Sequence, residues 1–242
     1  MNTAFIVEIF PAVLAALPVT LSLAALAGIA GWALGFVFAL VRSRKRGVLQ
    51  ALCAVLVSFF RGVPTVVLLY IAYFILPQLL PSVGTRVSAF TYALIALGLN
   101  QAAYASENFR AALAAVPVGQ YEAAYSVNMT KAQCLLRIVL PQALLIALPN
   151  MGNMFLGLVQ ETSLAFYVGV AEITSVTHFL ADSGLNFLEG YVVLTLIYEV
   201  LSFAIGKGFA AFERKIGAYR WRPAAECAQQ ARKARHGQGK AG

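Results

Sequence analysis

QYEAAYSVNMTKAQCLLRIVLPQA, residues 120–143, is a polar interval between two long apolar stretches, and its turn chemistry decides how they are joined. Pro117 and Gly119 end the helix that precedes it. Gln120 to Val127 is made of good helix formers, with Glu122 in the first turn, where its charge meets the positive end of the helix dipole. Asn128 stands where that helix should stop, and Asn is the residue after Gly that best takes the left-handed backbone of a C-terminal cap. Thr130 and Gln133 have capping-box spacing and start a new helix that runs through Ile138 to Pro141. The stretch therefore reads as helix, elbow and second helix. Ala123 and Ala124 make one side of the first helix small, so that a partner's groove can approach its backbone, and Tyr121 and Tyr125 offer broad contacts beside it. The alternative is an ordinary loop helix.

What flanks this elbow belongs in lipid. The chain has 242 residues, 60% hydrophobic and 12% charged, with a mean hydropathy of +0.77, far from soluble usage. The composition predicts an all-α polytopic membrane protein. Five apolar runs approach the roughly 20 residues that a helix needs to cross the hydrocarbon: Leu17 to Val41, Thr65 to Leu80, Val87 to Asn108, Ile138 to Val159 and Tyr191 to Phe212. Residues 1–17 carry no Lys or Arg, which excludes the cationic start of a secretory signal and suggests an interfacial lead-in. Residues 18–219 form the transmembrane domain, with a connection over about 116–137. The basic tail, 220–242, lacks apolar periodicity and reads as disordered and cytoplasmic.

Lys and Arg in short loops stay on the cytoplasmic side. Every basic residue except Arg61 and Arg86 lies near the end of, or after, the first, third or fifth run, so the N-terminus is expected outside and the C-terminus inside. The net charge of +8 then marks a membrane face and calls for no nucleic acid. Residues 163–181 are too broken by Gly169, Glu172 and Thr177 to span, and crossing there would carry the basic tail outward; short helices on the outer side are expected. Cys53, Cys134 and Cys227 form no CxxC pair and suggest neither a metal site nor a disulfide. His178 and His236 are too few for a zinc or histidine-based catalyst.

Several polar residues fall inside the runs. Asn100, Tyr104, Glu107 and Arg110 share one helical stripe. An unpaired charge in hydrocarbon costs about 2.5–3.5 kcal/mol, so the stripe is either a solute path or, for Glu107 and Arg110, an interfacial ion pair. Pro141, Pro149, Gly152 and Gly157 make the fourth run irregular, and Asn150, Asn153, Gln160, Glu161, Thr162 and Ser163 add polarity there. Interrupted helices at membrane depth face protein or a watery cavity. These residues, with the stripe, are the substrate-path candidates; packing is the other reading. Gly31 and Gly35 have GxxxG spacing for a close helix approach. Pro64 predicts a bend that leaves Arg61 near the cytoplasmic edge, the alternative being one long helix with Arg61 buried and paired.

Residues 120–143 resemble the EAA loop of the membrane permeases of ABC importers. Glu122, Ala123, Ala124, Ile138, Leu140 and Pro141 match that pattern in register, and Asn128 stands where the family has Gly. FFRGVPTVVLLY, AAYASENFRAALAAVPVGQYEAA, LPNMGN and ETSLAFYVGVAEIT extend the likeness to the polar amino-acid branch, of the histidine, glutamine and cystine type, from about Leu17 to Tyr219. The resemblance implies a type I importer permease fold in a bacterial inner membrane. It also implies that the helix holding Gln120, Glu122, Ala123 and Ala124 couples to a cytoplasmic ABC ATPase dimer, with Asn128 and Pro141 setting the elbow. A second permease subunit, identical or homologous, and an extracytoplasmic amino-acid-binding protein are implied as partners. The chain has no GxxxxGK[ST] loop, so it is expected to be no enzyme and to hold no cofactor; ATP and Mg would belong to the partner. The rival class is a secondary transporter or channel acting alone on an ion gradient; a membrane enzyme ranks behind both.

Overall fold

The computed structural model describes residues 2–43, 47–79 and 87–217. The basic turn at 44–46, Arg86 and the tail expected to be disordered lie outside the described residues. Among those described, all regular structure is helical: α1 Thr3–Arg42, α2 Val48–Gly62, α3 Thr65–Tyr70, α4 Leu76–Leu79, α5 Ala89–Ala115, α6 Val118–Ser126, α7 Lys131–Cys134, α8 Leu140–Glu161, α9 Ile173–Ser183 and α10 Phe187–Gly217. A 3₁₀ segment, Thr162–Val168, joins α8 to α9.

α5 is the axis of the bundle, and α1 lies against it more closely than ordinary side chains allow. A Cβ on Gly35 would sit 2.6 Å from the carbonyl oxygen of Ala102, and one on Gly31 would sit 2.9 Å from that of Gly98. The GxxxG spacing is thus used inside this chain. Gly31 meets Gly98, Gly35 meets Ala102 and Arg42 reaches Ser106, so the two helices run parallel. α1 begins well before Leu17, at Thr3. It is unbroken over 40 residues despite Pro11 and Pro18, and its first half packs Ile9, Val13 and Ala16 against Ile173, Val193 and Ile197.

Three prolines shape the remaining helices, each by removing the N–H owed to the carbonyl four residues back and crowding it. Before Pro77 and Pro141 the helix widens into π turns, Ile71–Ile75 and Leu135–Val139, which absorb the clash without ending the helix. At Pro64 it breaks instead. Val63 is extended (φ −95°, ψ 132°), as the residue before proline prefers, and the chain bends by 110° between α2 and the Thr65–Leu79 segment. Pro149, expected to interrupt the fourth run, lies inside a continuous α8.

Among the described residues, three helical segments are long and apolar enough to cross a membrane, Thr3–Arg42, Lys131–Val168 and Phe187–Ile216; the bent pair α2 and Thr65–Leu79 could make a fourth. The expected third span falls on α5, whose 27 residues cover about 40 Å. Its composition is too polar for apolarity alone to mark it, and its polar residues Asn100, Gln101 and Ser106 are buried against neighbouring helices. The 3₁₀ segment and α9 are short helices, as expected for 163–181, with Gly169 ending the first at φ +82°. Gly35→Ala is predicted to lower stability by about 1–3 kcal/mol, since a backbone oxygen cannot move aside, whereas Gly206→Ala, with open space around it, should leave the melting temperature unchanged.

Candidate functional site

α6 starts at Val118, so Gly119 lies within it and Glu122 falls beyond its first turn. Its end follows the sequence closely. Asn128 is left-handed (φ 58°), its N–H donates to the Tyr125 carbonyl (3.0 Å), and the Met129 N–H donates to that of Ala124 (3.1 Å). These two bonds make a Schellman cap. Two residues on, the Gln133 N–H donates to Thr130 Oγ1 (3.3 Å) and the Thr130 N–H to Gln133 Oε1 (2.9 Å), closing the capping box. Two caps back to back leave little freedom between α6 and α7. A side-chain bond from Gln142 to Gln120 Oε1 (3.0 Å) ties the start of α6 to α8 across the elbow.

The small pair is divided. Ala124 is buried in a cluster with Phe109, Val116, Cys134 and Val139, and Ile138 packs against it. Ala123 and Glu122 are exposed, together with Tyr125 and Val118. Ala124 therefore fastens the helix to the bundle, and the outward side belongs to Glu122 and Ala123. Leu140 is half-buried at the first turn of α8, and Pro141 is exposed there.

On α5, the polar stripe does three different things. Asn100 is buried and donates to the Phe60 carbonyl (3.1 Å), the oxygen that Pro64 cannot serve, so it completes the broken end of α2. Glu107 gathers three arginines: Arg42 Nη2 at 2.8 Å, Arg110 Nη2 at 2.8 Å and Arg61 Nη1 at 3.6 Å. Arg42 also donates to Ser106 Oγ (3.2 Å). Arg61 lies over the Tyr104 ring, 5.5 Å from its centroid. The chain bends at Pro64, and the guanidinium is nevertheless paired.

Tyr104 and Glu161 meet across a cavity of about 160 Å³, lined also by Gln101, Met154, Gly157 and Leu158. Gln101 and Met154 are not among the sequence candidates, and Gly157 stands there only as an interruption of the fourth run; Gln101 is next to Asn100, and its inward direction only becomes visible once α8 is packed. The other candidates serve the scaffold or face outward. Asn150 donates to Asn108 Oδ1 (3.0 Å), and Asn108 to the Ala147 carbonyl (3.1 Å). Thr162 and Ser163 donate to the carbonyls of Val159 and Gln160. Asn153 and Gln160 are exposed.

Glu172, which the sequence marks only as a break in the 163–181 stretch, is buried between the 3₁₀ segment and α9. Its carboxylate caps α9 by accepting from the Thr174 and Ser175 N–H groups (2.9 and 2.7 Å). Burial lifts its pKa from 4.5 to about 7 against the pull of these bonds.

The family described as binding-protein-dependent transport system inner membrane component matches residues 27–217. A probable amino-acid permease protein, YxeN of Bacillus subtilis, is 45% identical over 205 residues, 84% of this chain and 91% of that protein. The L-cystine transport system permease protein TcyL of the same organism is 37% identical over 212 residues, 86% and 89% of the two chains. Among solved structures, an amino acid ABC transporter crystallised with histidines superposes with a TM-score of 0.81 at 30% identity, over 89% of this chain and 99% of that one. The inward-facing MetNI methionine ABC transporter shares the fold at a TM-score of 0.72 and 20% identity, over 84% and 95%.

Two outcomes follow for the polar groups. Asn100→Leu leaves the Phe60 carbonyl unpaired and should cost about 1–3 kcal/mol in thermal unfolding, whereas Asn153→Leu should cost nothing measurable. For Glu172 the folded-state pKa lies above the unfolded one, so its contribution is fully present below about 4.5 and is lost as pH rises through about 7. Glu172→Gln should flatten that part of the stability profile of the purified chain.

Proposed function

This chain belongs to the family of binding-protein-dependent transport system inner membrane components, and on that premise we propose how it works as the membrane subunit of an ATP-driven amino-acid importer. It is a non-catalytic permease. We read it as a five-span protein of a bacterial cytoplasmic membrane, N-terminus outside and C-terminus inside, with α5 as the third span and α6 on the cytoplasmic side. The placing of Lys and Arg supports that orientation.

The observation that carries the coupling role is the elbow. α6 offers Glu122 and Ala123 outward, while Ala124, the Schellman cap, the capping box and the Gln120–Gln142 bond fix it to α5 and α8. A helix held so firmly passes on displacement as a lever, with Asn128 and Pro141 setting its angle. A cytoplasmic ATPase dimer, which would hold ATP and Mg, grips the outward side; its closure would swing the spans of this subunit and of a second permease copy or homologue. An extracytoplasmic binding protein would deliver the amino acid.

Within the chain, the cavity between Tyr104, Gln101 and Glu161 fits a small polar solute. Glu161 can accept from an ammonium group, and Gln101, whose amide also donates to the Met154 carbonyl, lines the same open-sided space. Asn100, Asn150, Thr162 and Ser163 are spent on backbone and helix contacts, which leaves Tyr104 and Glu161 as the substrate-path residues that the geometry favours.

Ala123→Trp should abolish ATP-coupled uptake in proteoliposomes and the capture of the ATPase, with membrane insertion intact. Full coupled uptake by that variant would refute the lever, and uphill transport by this chain reconstituted alone would refute the importer reading.

A further inference from the structure

α2, Val48–Gly62, carries Arg61 and the Phe60 carbonyl at its end. Its setting is unusual. Phe60 meets Asn100 and Arg61 meets Glu107, so the end of α2 lies beside residues 100–107 of α5. From there the Thr65–Leu79 segment runs back along α5: Tyr73 reaches Tyr92, with ring centroids 5.8 Å apart. The chain thus meets Asn100 at Phe60 and Tyr92 only later, at Tyr73, so the segment runs antiparallel to α5. α2 turns 110° from that direction and therefore lies across the bundle.

At 3.6 residues per turn its 15 residues sort into three sectors. One holds Cys53 and Val57, buried against the protein. A second, about 150° away, holds Val48, Leu52, Val55 and Phe59, all exposed; Val55 is 65% exposed. A third, on the other side of the buried sector, holds Ala51, Ala54, Ser58 and Arg61, small or polar. Protein on one side, an exposed apolar stripe on the next and a stripe of small and polar residues on the third fit a helix lying at the boundary between hydrocarbon and water. A helix fully inside lipid has no use for the third sector, and one in water has no use for the second.

We propose that α2 lies in the plane of the membrane at its cytoplasmic boundary, with Val48, Leu52, Val55 and Phe59 sunk into the acyl-chain side of the headgroup layer and Ser58 facing water. The inference rests on the membrane reading of the chain and not on what it transports. The level is consistent with α5. Counting about 20 residues, one hydrocarbon thickness, back from Glu107 reaches Val87, next to the Ser88 cap where α5 begins. Positive charge also brackets α2: Arg61 closes it, Arg42 precedes it, and in sequence Arg44, Lys45 and Arg46 follow Arg42, which suits anionic headgroups. Arg61, bound to Glu107 and Tyr104, pins one end of this helix to the central span.

The test uses the full chain assembled with its partner proteins in nanodiscs, spin-labelled at single cysteines introduced at Leu52, Val55, Phe59, Ala51, Ala54 or Ser58, the native cysteines being replaced. At Leu52, Val55 and Phe59, relaxation by oxygen should exceed that by a water-soluble nickel chelate several-fold, and at Ala51, Ala54 and Ser58 the ratio should reverse. An apolar stripe shielded from both reagents, as under a second protein chain, overturns the proposal. Oxygen dominance in both stripes, as in a helix wholly within lipid, overturns it too, as does chelate dominance in both. The chain with its own cysteines, reconstituted with phospholipid photoactivatable near the headgroup, gives an independent reading: lipid adducts should concentrate at Val48, Leu52, Val55 and Phe59, and their absence there refutes the placement. Either result is independent of whether the assembly transports an amino acid.

Discussion

The contact on which the rest depends is the close approach of α1 to α5. With no side chain at Gly31 and Gly35, the α1 backbone comes up against the carbonyls of Gly98 and Ala102. Dispersion falls steeply with distance, so this contact gains from being near rather than from being large. Its consequence is positional. It brings Arg42 at the end of α1 within reach of Ser106 and Glu107, adding a close guanidinium to a carboxylate that Arg110 and, at 3.6 Å, Arg61 also approach. With that side occupied, α5 turns Asn100 toward α2 and Gln101 toward α8, where Gln101 Nε2 donates to the Met154 carbonyl (3.4 Å).

A second constraint is the accounting of backbone polar groups, which in hydrocarbon have no water to fall back on. Pro77 and Pro141 are met by widening the helix locally. Pro64 is met by breaking it and recruiting Asn100 from another helix to serve the orphaned Phe60 carbonyl. The difference has a structural result: the widened helices carry on in one direction, whereas the broken one sends α2 across the bundle. Asn100 is thus a cap supplied from a distance, and the polar stripe that looks like one feature on α5 is a cap, an aromatic face for Arg61 and an ion-pair hub.

The elbow between α6 and α7 shows how local chemistry becomes mechanical. Two caps placed end to end fix the angle, and burying Ala124 in the cluster of Phe109, Val116 and Cys134 ties that angle to α5. An Ala is the residue that permits it. A larger side chain at 124 would hold α6 away from α5, and the outward side carrying Ala123 would shift with it.

By itself the sequence determined the helical membrane class, the elbow and its two caps, because these depend on composition and on interactions within four or five residues: Asn128 in the left-handed region, Thr130 with Gln133, and Gly31 spaced from Gly35. It also carried the family, through motifs whose residues stand in fixed register. Only the tertiary structure decided which of two adjacent alanines faces inward, that Asn100 serves a carbonyl forty residues away, that Glu107 collects arginines from three helices, and that Gln101 rather than Asn100 lines a cavity with Tyr104 and Glu161. The reason is physical. A helical repeat fixes which residues share a face but not which neighbour that face meets, and for a polar side chain in a membrane the neighbour settles whether it holds the fold together or remains free to hold a solute.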